Sequence, residues 1–132
     1  MHMIDANVLL DLLTNDPTWF DWSAAKVKRA RSSGLLVINP IIYAEISNAF
    51  VTETALSDYI SPTDFVRTPL PFEASFLAGR AFRLYRSRGG NKTSTLPDFY
   101  IGAHAEVESL TLVTCDSARY KTYFPKVKLI AP

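Results

Sequence analysis

The sequence predicts an α/β fold: a three-layer α/β/α sandwich with a central parallel sheet. Two observations carry this reading. Short, near-continuous apolar runs at His2–Asp5, Leu35–Ile38, Thr111–Thr114 and Val127–Ile130 suit strands buried on both faces. Between them lie longer segments whose apolar residues recur at helical spacing, so strands alternate with helices. With 132 residues the chain is long enough for one hydrophobic core, and residues 1–132 are expected to form a single domain.

The first run leads into a helix through Val8, Leu9, Leu12 and Leu13, which Asp16-Pro17 breaks. A second helix is expected from Trp19 to Arg31, ended by Ser32-Ser33-Gly34 ahead of the run Leu35–Ile38. Asn39-Pro40 supplies a helix N-cap followed by proline at the first helical position. That helix places Ile42, Ile46, Ala49 and Phe50 on one stripe. Thr52 to Arg67, interrupted by Ser61-Pro62, reads as short helical pieces. Pro71 opens a long helix to about Ser87 with Leu77, Ala81, Leu84 and Tyr85 on its apolar side. Arg88 to Thr95 has the composition of an exposed loop. Pro97 opens another helix to about Glu108. After the strand Thr111–Thr114, a short helix or turn over Asp116–Phe124 leads to the last strand, Val127–Ile130.

Composition narrows the functional classes. With 48% hydrophobic and 20% charged residues the chain is an ordinary globular protein, and 5 Gly with 8 Pro exclude collagen-like or linker-like sequence. No apolar run approaches the ~18 residues of a membrane span. The N-terminus lacks the layout of a signal peptide. One cysteine excludes an internal disulfide framework. A soluble cytoplasmic protein with no membrane partner is expected. The net charge of +1 conceals segregation: all but Arg67 of the 14 basic residues fall in three clusters. These are Lys26, Lys28, Arg29 and Arg31; Arg80, Arg83, Arg86, Arg88 and Lys92; and Arg119, Lys121, Lys126 and Lys128. No acid lies between Glu73 and Asp98. Arg80, Arg83 and Arg86 share a helix face, and with the Arg88–Lys92 loop they are candidate contacts for the phosphates of a polyanion, the alternative being a solvated face.

Open α/β sheets bind ligands beyond the carboxyl ends of their strands. Asp5 and Asp116 follow the first and third apolar runs. Glu45 falls between Ile41 and Ala49, within or beside an apolar stripe, and Asp98 shares a face with Ile101, Gly102 and Ala105. A buried carboxylate needs a cation, a hydrogen-bond network or a raised pKa. Each acid also has a structural reading. Asp5 can cap a helix, Asp98 can complement a helix dipole, Asp116 can open a turn, and Glu45 can reach the surface. Read together, several carboxylates without cysteine ligands or a histidine pair suit Mg2+ or Mn2+. Phosphodiester hydrolysis is the natural reaction of such a site, with a carboxylate able to act as general base.

The string Met3-Ile-Asp-Ala-Asn-Val-Leu-Leu-Asp11 resembles the opening of PIN-domain ribonucleases. Ile42-Tyr-Ala-Glu-Ile46 resembles the segment with their second acid, and Leu96-Pro-Asp-Phe-Tyr-Ile-Gly-Ala-His-Ala105 the segment with their third. Thr114-Cys-Asp-Ser117, with Tyr123-Phe-Pro125 downstream, is similar to the closing segment with the fourth. Within the family the chain looks most like a VapC-type toxin of a toxin–antitoxin pair. The resemblance implies a PIN-like sandwich and a Mg2+-dependent endoribonuclease (Mn2+ as a substitute) acting on tRNA or other structured RNA. It implies catalytic Asp5, Glu45, Asp98 and Asp116. Asp5 and Asp98 would be the principal metal ligands, and Glu45 and Asp116 would bind directly or through water. It matches Asn7 and Thr114 to polar positions that hold Asp5 and Asp116. It also implies a homodimer and a cognate antitoxin whose tail occupies the groove. Cys115 departs from the family, which often carries a basic or polar residue there.

Two rival readings are a non-catalytic RNA-binding or adaptor module on the same fold, and a phosphotransfer enzyme with an aspartate nucleophile. Asn7, where such phosphatases commonly have a second Asp, counts against the latter. His104 lies about 120° from Asp98 on the helix wheel, so it is expected to pack rather than ligate. Cys115 is expected to be a small strand-end residue without a His partner. Trp19 and Trp22 are expected to pack the second helix.

Overall fold

A computed structural model describes residues 1–132. In chain order the elements are β1 (His2–Ile4), α1 (Ala6–Leu13), α2 (Phe20–Ser33), β2 (Leu36–Ile38), α3 (Pro40–Ser47), α4 (Glu53–Tyr59) and β3 (Phe65–Arg67). There follow α5 (Phe72–Ser87), α6 (Pro97–Val107), β4 (Thr111–Val113), α7 (Ala118–Tyr123) and β5 (Leu129–Ile130). The five strands form one parallel sheet in the order β3-β2-β1-β4-β5, flanked by helices. This is the α/β/α sandwich that the alternation of strands and helices predicts.

Consecutive strand residues are buried, Met3 with Ile4, Leu36 through Ile38, and Leu112 with Val113. Successive strand side chains point to opposite faces, so both faces of the sheet are covered. The core is one contiguous cluster of 27 buried apolar residues. Strand order reverses at β1, which pairs with β2 on one side and β4 on the other. The carboxyl ends of β1 and β4 therefore border the crevice where such sheets bind ligands.

Caps fix the helices that border this crevice. The Asp5 carboxylate accepts the Ala6 N–H and caps α1, and Asn39 Oδ1 accepts the Ile42 N–H at 2.9 Å ahead of Pro40. Gly102 of α6 lies against Phe124, where any Cβ would collide with the ring. That close approach seats α7 against α6.

Three sequence expectations need correction. The segment Thr52–Arg67 contains a strand as well as a helix. β3 pairs with β2 at Leu36–Phe65, Val37–Val66 and Ile38–Arg67, but only Phe65 is buried. An edge strand with one buried residue leaves no periodic signal. α3 stops at Ser47, so Ala49 is exposed, and Phe50 packs beyond the helix against Tyr59. On α5 the buried side is Ala74, Ala78 and Ala81, and Leu84 is 41% exposed.

Candidate active site

The carboxyl end of the sheet gathers the acids from four elements. Asp5 follows β1, Asp116 lies just past β4, Glu45 sits on α3 and Asp98 in the first turn of α6. Asp5 is buried and held by four donors. Its Oδ1 accepts the Ala6 N–H at 2.7 Å; its Oδ2 accepts the Tyr120 hydroxyl at 2.8 Å, the Thr114 hydroxyl at 2.9 Å and the Asn7 amide at 3.5 Å. Burial outweighs these bonds and, with the charge of Asp98 adding, pushes the Asp5 pKa up to about 6.

Thr114 and Asn7 tie the loops after β1 and β4 together. Thr114 Oγ1 accepts the Asn7 amide and the Asp116 backbone N–H, each at 3.1 Å. Asn7 Oδ1 accepts the Cys115 N–H at 3.1 Å. The two residues thus bridge Asp5 and the backbone of Asp116.

Glu45 is half-buried, and its Oε1 has no hydrogen-bond partner. Burial, then the charges of Asp5 and Asp98, push its pKa up to about 7. Asp98 is also raised, by burial first, while Arg119 opposes the shift and Asp116 adds to it. Its Oδ2 accepts from Arg119 Nη1 at 3.4 Å. Asp116 is exposed at the rim, with Oδ1 near the Ala118 N–H at 3.4 Å. The charge of Asp98 thus acts on Asp5, those of Asp5 and Asp98 act on Glu45, and that of Asp116 acts on Asp98.

No three His, Cys, Asp or Glu side chains close to ligation distance of one point. Mg2+ keeps several of its waters and needs only one or two direct carboxylates, so acids spaced this widely can hold it partly through water. The unpartnered Glu45 oxygen, the all-oxygen donor set and the charges of Asp5 and Asp98 acting on Glu45 fit a hard divalent cation.

His104 is buried, with its Nδ1 3.1 Å from the Asn39 amide nitrogen. Burial lowers its pKa, and the neutral ring braces the Asn39 cap that starts the helix bearing Glu45. Cys115 donates to Asp11 Oδ2 at 3.0 Å, and Ser23 donates to the same oxygen at 2.9 Å. Burial pushes the Cys115 thiol up to about 12, so it stays protonated and is no nucleophile. Trp19 and Trp22 meet edge to face.

The second basic cluster divides by contact. Arg86 donates to the carbonyls of Gly90 at 3.2 Å and Lys92 at 3.0 Å, stapling the loop after α5. Arg80 lies over Phe76, and Arg83 and Lys92 are exposed. Arg88 lies over Tyr123, which lines a groove of about 400 Å³ with Tyr85, Asp98, Asp116 and Arg119. Sequence reading missed Tyr120 and Arg119 as site residues. Arg119 was visible only as one member of the third basic cluster, and Tyr120 only as a tyrosine four residues after Asp116.

The PIN domain family model matches residues 2–125. The chain belongs to the PIN-domain family. No curated protein sequence matches it. Solved structures extend the comparison of the PIN fold. VapBC2 from Rickettsia felis, bound to a DNA fragment from its promoter, superposes with a TM-score of 0.75 at 17% identity, covering 99% of this chain and 98% of that one. VapBC-1 from nontypeable Haemophilus influenzae gives 0.71 at 19% identity, covering 98% and 96%. VapC20 of Mycobacterium tuberculosis, a toxin that cleaves the sarcin-ricin loop, gives 0.62 at 11% identity, covering 94% and 96%. At these identities the likeness concerns the fold, and the chemistry of this PIN domain has to be read from its own acids.

Proposed function

We propose that this PIN domain, residues 1–132, is a metal-dependent endoribonuclease and the toxin of a VapC-type toxin–antitoxin pair. The observation that carries the reading is the convergence of Asp5, Glu45 and Asp98 at the carboxyl end of the sheet, with a Glu45 oxygen left unpartnered. Glu45 is half-buried with no donor to satisfy it, and the charges of Asp5 and Asp98 add to burial in raising its pKa, an arrangement that a bound cation would relieve.

Mg2+, with Mn2+ as a substitute, would be held by Asp5 and Asp98, and by Glu45 and Asp116 directly or through water. When bound it would supply a water of lowered pKa and offset charge at the phosphate. The chain's own residues do the rest. Tyr120, Thr114, Asn7 and the Ala6 N–H fix Asp5 in one orientation. Where Glu45 holds the metal through water rather than directly, its carboxylate would orient the attacking water and accept its proton. Arg88 would meet RNA phosphate at the groove, with Arg80, Arg83 and Lys92 extending the contact along α5 and its loop. Arg86 would contribute mainly by shaping that loop.

The substrate class is RNA, with exposed loops of tRNA or another structured RNA preferred because their bases can be splayed out and read. A cognate antitoxin would place a basic tail residue among the acids and cover apolar surface. Phe72 and Phe76 of α5, 91% and 65% exposed, are candidates for burial by that partner or by a second copy in a homodimer. No helix is long and apolar enough to cross a membrane. As part of this proposal the toxin would act in the cytoplasm, where its RNA substrates lie. Incubating antitoxin-free protein with total cellular RNA, with Mg2+ or with EDTA, tests the proposal. New RNA ends that require Mg2+ support it; binding without cleavage would favour a non-catalytic RNA-binding module.

A further inference from the structure

Arg119 is the only cation in contact with the acids. The chain has two close Arg–carboxylate pairs, and the other, Arg31–Asp64, involves none of them; the neutral His104 ring lies 3.8 Å from Glu108. The contact is weakly built: one guanidinium nitrogen at 3.4 Å from one oxygen, with the side chains 38% and 32% exposed. A committed Arg–carboxylate pair is commonly a two-pronged fork with shorter bonds. Asp5 shows how this chain fixes an acid permanently, with buried neutral donors and no ion.

The aromatic wall explains where Arg119 stays when the bond opens. Its guanidinium lies 5.9 Å from the ring centres of both Tyr85 and Phe99. Those rings hold the cation at the groove wall independently of Asp98. Asp98, Asp116, Tyr123 and Arg119 line the same groove, and Arg88 stands over Tyr123. An RNA phosphate entering there would find a planar fork of donors suited to its oxygens.

We infer that Arg119 is an exchangeable counter-ion: it holds Asp98 in the metal-free protein and turns to an RNA phosphate once a divalent cation neutralises that carboxylate. This rests on the proposed role of Asp98 in holding the metal. It has an opposed pair of consequences. Arg119 competes with the metal for Asp98, and it aids RNA binding only when the metal is present.

Calorimetric titration of Mn2+ into metal-free wild type, Arg119→Ala and Asp98→Asn tests the first consequence. Arg119→Ala should bind Mn2+ about two- to five-fold more tightly, the size of an exposed ion pair. Asp98→Asn should bind it more weakly. Fluorescein-labelled bacterial tRNA tests the second, with Ca2+ in place of Mg2+ so that the RNA is not consumed. Wild type should bind about ten-fold more tightly than Arg119→Ala in Ca2+, and the two should bind alike in EDTA. Unchanged Mn2+ affinity in Arg119→Ala beside weakened Asp98→Asn overturns the exchange and leaves the metal site standing. Unchanged affinity in Asp98→Asn removes the metal site, and the inference with it. An equal tRNA defect in Ca2+ and in EDTA makes Arg119 a fixed contact and overturns the switch.

Discussion

Replacing Glu45 with Gln removes one charge from the acid group and keeps the side chain's shape. In the metal-free protein the Glu45 carboxyl is moved from an ordinary 4.5 to about 7, by burial and by the charges of Asp5 and Asp98. An unscreened shift of that size would cost about 3 kcal/mol once the group ionises. Glu45 is only half-buried, and solvent screening reduces this to about 1–2 kcal/mol. The sign follows from proton binding. Between about pH 4.5 and 7 the folded protein holds the Glu45 proton more tightly than the unfolded chain does, so stability falls as pH rises through that window. Asp5, raised to about 6, adds to the same trend. Glu45→Gln should therefore melt near wild type at pH 4.5 and above it at pH 8 in EDTA, by roughly 3–8 °C. Thermal melts at several pH values, in EDTA and in Mg2+, read this directly. Mg2+ should raise the wild-type melting temperature by mass action, and that of the variant less. A variant no more stable than wild type at pH 8 in EDTA would refute the argument that these acids repel one another.

Four further outcomes are expected. Tyr120→Phe removes a buried donor from Asp5 and should destabilise the fold by about 1 kcal/mol while lowering cleavage; unchanged turnover would show that the hydroxyl does not position Asp5. Arg83→Ala with Arg88→Ala should weaken RNA binding and flatten its dependence on salt, since each phosphate contact releases counterions; an identical slope of log affinity against log salt would leave these arginines merely solvated. Expression of the wild type should arrest growth and Asp98→Asn should not; arrest by both would place toxicity outside the acids. Removing the basic tail residue of a co-purifying antitoxin should abolish its inhibition, and full inhibition by a tail without Arg or Lys would contradict the electrostatic mechanism.

At Asp5 the shape of the side chain matters as well as its charge. Asp5→Ala would leave the Tyr120 and Thr114 hydroxyls and the Ala6 N–H without their acceptor, at a cost of about 1–3 kcal/mol for each group left buried and unpaired. Asp5→Asn keeps the shape and removes the charge.

What could be read from the chain alone follows from burial. Residues of β1, β2 and β4 are covered on both faces, so their runs are apolar without interruption and stand out in the sequence. β3 is an edge strand in which Val66 and Arg67 face solvent, and its backbone pairing with β2 leaves no trace in residue type. Asp5 and Asp116 were visible because they stand where strands end, and Glu45 because it interrupts an apolar stripe. Tyr120 was hidden because the direction of its hydroxyl depends on how α7 seats against α6 beside Gly102. Arg86 and Arg119 look alike in sequence. Only packing separates an arginine stapling a loop from one facing an acid.

The central claim is that the acids at the carboxyl end of the sheet cut RNA with a divalent cation. Sequencing of 5′ ends in total cellular RNA, after incubation with antitoxin-free wild type or Asp5→Asn in Mg2+ and in EDTA, tests it most directly. Discrete new ends are expected from the wild type in Mg2+ alone. The same ends from Asp5→Asn, or from the wild type in EDTA, would contradict it.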